Sequence, residues 1–298
     1  MNFKNLNHFS TPRVKALFGL HPIPLADLLF KVLPELERRR TERLAARPER
    51  KRPLVPNDGR PREVRPLDKV LMALIYLRHN VSQEVVGSLF GFSADTSENA
   101  FYEVVPVLRE LFPTEKWEAE KRWRRGEPRW TPDEVEKVII DSFETPVRRP
   151  SLKEPQKRLY SGKKKRHTLK TQIATDQRGE ILSISAGHRG PKADLKLYEE
   201  TPLPDPIRDK PRMGDKGYCS AEHPEIKTPH KKPRGGELTE AQKAHNKDIS
   251  RQRIVVEHAI RRVKGWRIVR DEYRLALGLF PMVASVVVGL IQFSRIAG

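Results

Sequence analysis

The sequence contains a single cysteine and no long hydrophobic run, and it has fewer acidic than basic residues. Its single cysteine, Cys219, excludes an internal disulfide and a zinc site built from several thiolates. No apolar run near the N-terminus predicts a signal peptide. The longest apolar stretch, residues 282–293, is shorter than the roughly 20 residues that span a bilayer. We therefore expect a buried helix there and a cytoplasmic protein with no membrane partner.

The excess of positive charge is the strongest compositional feature. The 298 residues include 58 Lys and Arg against 39 Asp and Glu, a formal net charge of +19. Such a balance indicates a polyanionic partner, usually nucleic acid, although a soluble basic or ribosome-associated protein has a similar composition. Hydrophobic residues form 37% of the chain, which is enough for a core in one or two domains.

The first 66 residues predict a basic N-terminal arm and linker. Residues 47–66 combine five prolines with several arginines, which favours extended backbone. Residues 35–46 are polar and rich in helix formers. An arm that lies along phosphates and a disordered spacer both fit the 47–66 stretch.

Residues 67–112 predict a helical domain of helix-turn-helix type. Apolar residues follow helical spacing from Leu67, Ser82 is placed to cap a second helix, and Gly91 with Ser93 provides a turn and a cap for a third. The start of that third helix has acidic residues and no Lys or Arg, which argues against recognition of DNA bases. Asn99 is nevertheless suited to contact a DNA base. DNA contact and a packing or dimerisation bundle both remain open.

The rest of the chain predicts an α/β domain with a mixed sheet. Residues 113–134 form a connector in which three tryptophans are expected to pack against the next domain. From residue 135 the pattern predicts a buried strand up to Asp141, a hairpin over 167–187, a helix from Ala193, a short strand before Asp215, and one long helix over 248–269 that contains Glu257. The predicted catalytic domain is therefore 135–298.

Three acidic residues are candidates for one oxygen-rich site. Asp141 follows three β-branched residues, Asp215 lies between glycines in GDKGY, and Glu257 lies among apolar residues in a helix that we expect to be largely buried. Each alone is explained by a cap or an ion pair. Together they predict ligands for a hard divalent cation such as Mg²⁺ or Mn²⁺.

Two basic segments accompany these carboxylates. Arg253, Arg261 and Lys264 fall near the face of the helix that carries Glu257, and residues 227–274 have a net charge of +8. The second segment precedes a strand and contains Lys163, Lys164, Lys165 and Arg166. Phosphate binding is the expected role of both, and a solvated charged face is the alternative for the helix.

The combined motifs resemble a known family. The stretches IIDSFETPVRRP, QKRLYSGKKKRHTLKTQIATD, GDKGY and the basic region through Arg274, with the helical segment before them, resemble DDE transposases of bacterial insertion sequences, in a branch related to Harbinger-type nucleases. The resemblance implies a ribonuclease-H-like catalytic domain that binds two divalent metal ions. It covers most of residues 67–274 and does not extend to residues 1–66.

The resemblance also implies site residues. Asp141, Asp215 and Glu257 take the catalytic, metal-binding positions, and Asp194 is the second choice for the middle position. A family signature of Tyr, Arg, Glu and Lys matches Arg253, Glu257 and Lys264, whereas Ser250 stands at the Tyr position.

The implied function is DNA transposition in a bacterial, nucleoid-associated setting. The enzyme would bind the terminal inverted repeats of its element, cleave with metal-activated water and transfer the freed 3′ hydroxyl to target DNA, within a homodimer that brings two ends together. The alternatives are a nuclease that cuts without joining, a DNA-binding regulator with a decayed catalytic domain, and a basic RNA-binding protein.

Overall fold

The computed structural model describes residues 9–46, 64–124, 126–127 and 130–297. These residues form two compact units, one through Leu111 and a second over Phe112–Ile296. Most of the predicted linker, residues 47–63, lies outside the described residues.

The first unit contains five helices in its described part. They are α1 (Thr11–Phe18), α2 (Pro22–Ala45), α3 (Pro66–His79), α4 (Gln83–Phe90) and α5 (Ala94–Leu111). The predicted boundaries of the last two are confirmed by their caps. The Ser82 hydroxyl accepts a hydrogen bond from the Val85 amide, Ser93 accepts one from Thr96, and Gly91 ends α4 with φ of 77°.

Helices α1 and α2 occupy much of the segment that we expected to be an arm. Arg39 and Arg43 of α2 form ion pairs with Glu110 and Glu103 of α5, and the His79 ring is hydrogen-bonded to the Leu17 carbonyl. Extended backbone was expected only for residues 47–66, most of which lie outside the described residues, and the helix formers of 35–46 do belong largely to α2. Sequence inspection missed α1 because its eight residues leave only Val14 and Phe18 buried, too few for a periodic pattern.

The second unit is built on a six-stranded mixed sheet. Its strands are β1 (Val138–Pro146), β2 (Tyr160–Ser161), β3 (Arg166–Thr175), β4 (Ile181–Arg189), β5 (Arg212–Met213) and β6 (Ile226–Lys227). The order is β2-β3-β1-β5-β6, with β4 also paired to β3. Strand β3 runs antiparallel to β1, β2 and β4, whereas β5 and β6 run parallel to β1. This is a ribonuclease-H-like mixed sheet, as the resemblance implied.

The described part of this unit contains six α-helices. They are α6 (Lys116–Trp123), α7 (Lys153–Leu159), α8 (Asp194–Glu200), α9 (Glu240–Lys264), α10 (Arg267–Arg270) and α11 (Phe280–Ala297). Helix α9 begins earlier than predicted because Thr239 and Gln242 form a reciprocal capping box. It stops at Lys264, so the single helix expected through Val269 is two helices.

The core lies on both faces of the sheet. Val138 and Ile140 pack in a buried cluster with Trp130, which belongs to the predicted connector, and the Trp130 indole donates a hydrogen bond to Asp176. The expectation that this tryptophan packs against the catalytic domain is confirmed. Helix α11 is apolar and long enough to span a membrane, as part of residues 277–297, but 61% of the apolar window is buried inside the protein. That burial is typical of the core helix that we predicted.

Candidate active site

Asp141 lies within β1 rather than at its end. The strand continues to Pro146, because residues 139–146 all pair with β3. Its parallel pairing with β5 stops at Ile139, so the edge of β1 opens at Asp141. Alternation along the strand directs Asp141 and Phe143 to one face of the sheet and Ser142 to the other.

The Asp141 carboxylate is held by two donors. Arg253 of α9 donates from Nη2 to Oδ2 at 3.0 Å, and the Ser142 amide donates to Oδ1 at 2.7 Å. Burial nevertheless raises the pKa of Asp141 to about 6, against the opposing effect of Arg253, and the carboxylates of Asp215 and Asp194 raise it further. Arg253, which we predicted to bind phosphate, is therefore already committed to Asp141 in this structure.

Asp215 and Asp194 meet at Gly217. A side chain at Gly217 would lie 2.9 Å from Oδ1 of Asp215 and 2.9 Å from Oδ2 of Asp194, so only glycine leaves room for both carboxylates. Asp215 caps the short 3₁₀ turn Lys216–Tyr218, with Oδ1 accepting from the Gly217 amide at 2.7 Å. Close approach at this glycine is therefore made by Asp194 and Asp215.

Asp194 differs from Asp215 in its partners. It accepts a hydrogen bond from Ser142 Oγ and forms an ion pair with the buried Lys170, whose Nζ lies 3.1 Å from Oδ1. Because Ser142 points away from the Asp141 face of β1, Asp194 approaches from the side of the sheet opposite to Arg253. Asp215 has no ion-pair partner within the described ranges.

Tyr218 is a site residue that sequence reasoning missed. Its side chain is fully buried, and its hydroxyl has no hydrogen-bond partner in the described part of the chain. Burial raises the pKa of Tyr218, and the carboxylates of Asp194, Asp141 and Asp215 raise it further. The hydroxyl is therefore kept neutral, and it interacts electrostatically with three carboxylates. The only available signal was a tyrosine three residues after Asp215 in GDKGY.

Helix α9 presents Glu257 between two cations. Glu257 is exposed, as is Ile254 at 47%, so the expectation of a largely buried helix is wrong. Only Ile249, Val256, Ala259 and Val263 are buried, a single apolar stripe. Arg253 and Lys264 lie near the same face as Glu257 by helical spacing, with the Lys264 ammonium 5.3 Å from the centre of the Phe143 ring. Glu257 has no ion-pair partner among the residues that the structure describes.

The basic turn between β2 and β3 lies near the end of α9. Lys163, Lys164, Lys165 and Arg166 are all exposed. Burial lowers the pKa of Lys264, and the charge of Lys164 lowers it further, so the turn lies within electrostatic range of this lysine. Arg261 is also exposed on α9. The two basic segments thus border the same face of the sheet.

The carboxylates at this edge of the sheet are of the ligand type that a divalent cation prefers. Asp141 and Asp215 supply such oxygens for Mg²⁺ or Mn²⁺, and Asp194 supplies another that is paired with Lys170. Over the described ranges no three His, Cys, Asp or Glu side chains converge closely enough to form a ready metal site. The carboxylate of Asp141 is instead neutralised by Arg253.

Comparisons with known proteins agree with this geometry. A family model described as DDE superfamily endonuclease matches residues 140–292, and one described as helix-turn-helix of DDE superfamily endonuclease matches residues 63–114. A probable transposase for insertion sequence element IS702 from Microchaete diplosiphon is 31% identical over 232 residues, which cover 76% of this chain and 79% of that protein. A putative transposase for insertion sequence element IS112 from Streptomyces albus G is 26% identical and covers 72% and 74%.

No solved structure matches. Membership of the Harbinger-related branch stays a prediction, since the matching models describe the superfamily as a whole. The match to the endonuclease family model includes Asp141, Asp215 and helix α9. The aligned regions cover most of this chain and most of each relative. The chain therefore belongs to the DDE superfamily endonucleases and carries the helix-turn-helix region of that superfamily.

Proposed function

We propose that this protein is an insertion-sequence transposase that cleaves DNA at the ends of its element and joins the freed 3′ hydroxyl to target DNA. The observation that carries the proposal is the convergence of Asp141 and Asp215 on one edge of the sheet, beside a helix that presents Arg253, Glu257 and Lys264. The names of the relatives support the same activity.

Asp141, Asp215 and Glu257 are the proposed metal ligands, for two Mg²⁺ or Mn²⁺ ions. Asp215 and Glu257 have no ion-pair partner in the described ranges, so their carboxylates are available. Asp194 remains second choice for the middle position, because Lys170 already neutralises it. A bound divalent ion supplies Lewis acidity toward the scissile phosphate and lowers the pKa of an attacking water.

The basic residues around the carboxylates are proposed to orient Asp141 and to bind phosphates. Arg253 keeps the Asp141 carboxylate oriented and balances its buried charge. A bound divalent cation would balance that charge in its place. Lys264, Arg261 and the basic turn Lys163–Arg166 are the proposed phosphate-binding residues, and the exposure of Arg261 and of the turn supports that role. Positioning and charge stabilisation of this kind are the main protein contribution to phosphoryl transfer.

Binding of the terminal inverted repeats is assigned to the helical region. This region, residues 67–112, and the catalytic domain, 135–298, remain our proposed functional division. A homodimer that holds two ends together is part of the proposal, because two ends must be cut and joined in concert. A regulator without catalysis and a nuclease without joining are the competing outcomes.

The test is a cleavage and joining assay on duplex DNA that carries the flanking ends of the element. Reactions contain Mg²⁺, Mn²⁺ or EDTA, with Asp141→Ala, Asp215→Ala and Glu257→Ala variants beside the wild-type protein. We expect metal-dependent cutting that each variant abolishes while DNA binding is retained. Asp194→Ala is the matched comparison and should be milder.

Each result assigns a role. Cleavage by the Glu257→Ala variant at the wild-type rate would remove that residue from the site. An inactive Asp194 variant with an active Asp215 variant would exchange their roles. Tight binding of the ends with no cutting in any metal would favour the regulator.

A further inference from the structure

A second concave site adjoins the candidate active site within the same unit. A cavity of about 600 Å³ lies between the parallel strands β5 and β6, the segment 228–231 that follows β6, and helix α9. This volume is within the range of roughly 300–1,000 Å³ that holds small-molecule ligands. It is large enough for one nucleotide unit and excludes a base-paired double helix.

The rim of the cavity is cationic. Lys137, Arg212, Lys227 and Lys231 line it, against a single carboxylate from Asp248. Neither Lys227 nor Lys231 has an ion-pair partner in the described ranges. Arg212 is paired with Glu225 and Lys137 donates to Gln252, so Lys227 and Lys231 supply most of the available positive charge. The charge on the rim therefore favours an anionic ligand.

The floor of the cavity is apolar. Met213, Ile226 and Ile249 line it, and their exposed fractions are only 3%, 5% and 1%. The rings of His230 and His245 lie on its wall with centroids 4.8 Å apart. A flat apolar floor beside imidazole rings, below a cationic rim, suits a ligand with an aromatic part and a phosphate part.

The wall of the cavity is already in place. The His230 amide donates to Asn246 Oδ1 at 2.7 Å, and Asn246 Nδ2 donates back to the His230 carbonyl at 3.1 Å. This reciprocal pair fixes the segment after β6 against α9. A ligand can therefore bind without the cost of ordering this segment.

The cavity shares two structural elements with the carboxylates. Met213 and Cys219 on its wall lie two residues before and four residues after Asp215. Gln252 on its other wall precedes Arg253, which contacts Asp141. The cavity and the candidate active site are therefore neighbours along both β5 and α9.

We propose that this cavity binds an unpaired nucleotide of the DNA strand next to the cleaved bond. The base lies against the apolar floor, and the adjoining phosphates contact Lys227 and Lys231. The source of the strand rests on the proposed function, whereas the chemistry of the cavity does not.

Cys219 allows a direct test that needs no catalysis. It is the single cysteine of the chain, is exposed and lies on the cavity wall. Its alkylation by iodoacetamide is followed by mass spectrometry in EDTA. The probes are a blunt duplex of the element's end, the same duplex with a two-nucleotide single-stranded extension, the dinucleotide pTpT, and inorganic phosphate. We expect the extended duplex and saturating pTpT to slow alkylation roughly tenfold, and the blunt duplex and phosphate to have little effect.

Paired charge variants test the rim. Lys227→Ala/Lys231→Ala should weaken protection by pTpT roughly tenfold, about the effect of one lost hydrogen bond to a charged group. Lys232→Ala/Lys243→Ala removes the same charge from exposed lysines that pair with Glu237 and Glu240 outside the cavity lining, and should retain protection.

The outcomes separate the two proposals. Equal protection by the blunt and extended duplexes, or none by pTpT, would overturn the nucleotide site. Equal losses of protection by pTpT in the two double variants would mean that the rim lysines act only through general electrostatic attraction. That result would also overturn the nucleotide site. Protection by pTpT without any binding of the element's ends would keep the cavity as a nucleotide site and count against the transposase function.

Discussion

The raised pKa of Asp141 predicts an unusual pH dependence of stability. Its pKa rises from 3.8 in the unfolded chain to about 6 in the fold, mainly because of burial. At 1.36 kcal/mol per pKa unit, this difference corresponds to about 3 kcal/mol. The native state binds the proton more tightly than the unfolded state. Protonation of Asp141 therefore favours the fold below pH 4, and this contribution is lost as pH rises through about 6.

Asp141→Asn isolates this effect, because it keeps the shape of the side chain and removes its titration. The free energy of unfolding is measured by urea denaturation from pH 4 to pH 8 in EDTA, for the variant and the wild-type protein. The stability of the variant relative to the wild-type protein should increase by about 3 kcal/mol over this range. Titrating groups that do not interact with Asp141 contribute equally to both proteins and cancel in the comparison, whereas Asp215 and Asp194 interact with it.

Asp271→Asn is the control of opposite sign. Burial alone would raise the pKa of Asp271, but hydrogen bonds from Arg270 and Arg267 lower it overall. Its variant should lose stability relative to the wild-type protein as pH rises toward the unfolded value of 3.8, so this control is measured below pH 4. A pH-independent difference for Asp141→Asn would refute the raised pKa. A decrease, as for Asp271→Asn, would show that the Arg253 ion pair outweighs burial.

Further predictions concern packing, DNA binding and metal binding. Gly289→Ala should destabilise the protein by about 1–3 kcal/mol, since the new Cβ would lie 2.2 Å from the Phe112 carbonyl oxygen, whereas Gly278→Ala meets nothing within 4 Å; equal melting temperatures would contradict this. Lys264→Ala should lower the slope of log affinity against log salt by roughly 1 in a DNA-binding titration, and an unchanged slope would leave Lys264 as a packing residue over Phe143. Mn²⁺ affinity, measured by calorimetry, should rise with pH through about 6 as Asp141 loses its proton, and a flat profile would argue against Asp141 as a ligand.

Local chemistry made much of the fold readable from the sequence. Ser82, Gly91 and Ser93 mark helix boundaries because capping and left-handed turns depend on a few neighbouring atoms. The hairpin of β3 and β4 followed from alternation and a short turn. The fold class and the family followed from combining such local patterns with the spacing of the acidic motifs.

Side-chain partners could not be predicted in the same way. The sequence places Asp194 21 residues before Asp215, yet both carboxylates meet at Gly217 because α8 and the turn after β5 pack together. The pairing of Arg253 with Asp141 joins residues 112 positions apart. Long-range contacts of this kind depend on strand order and helix orientation, which local periodicity does not encode.

The sequence by itself determined the charge, the main helices and strands, and the acidic residues from which a metal site would be built. Only the tertiary structure decided that Glu257 is exposed, that Lys170 neutralises Asp194, and that the hydroxyl of Tyr218 interacts electrostatically with the carboxylates. The physical reason is that residue type sets which charges and hydrogen bonds are available, whereas burial and the choice of partner arise only when distant segments pack together.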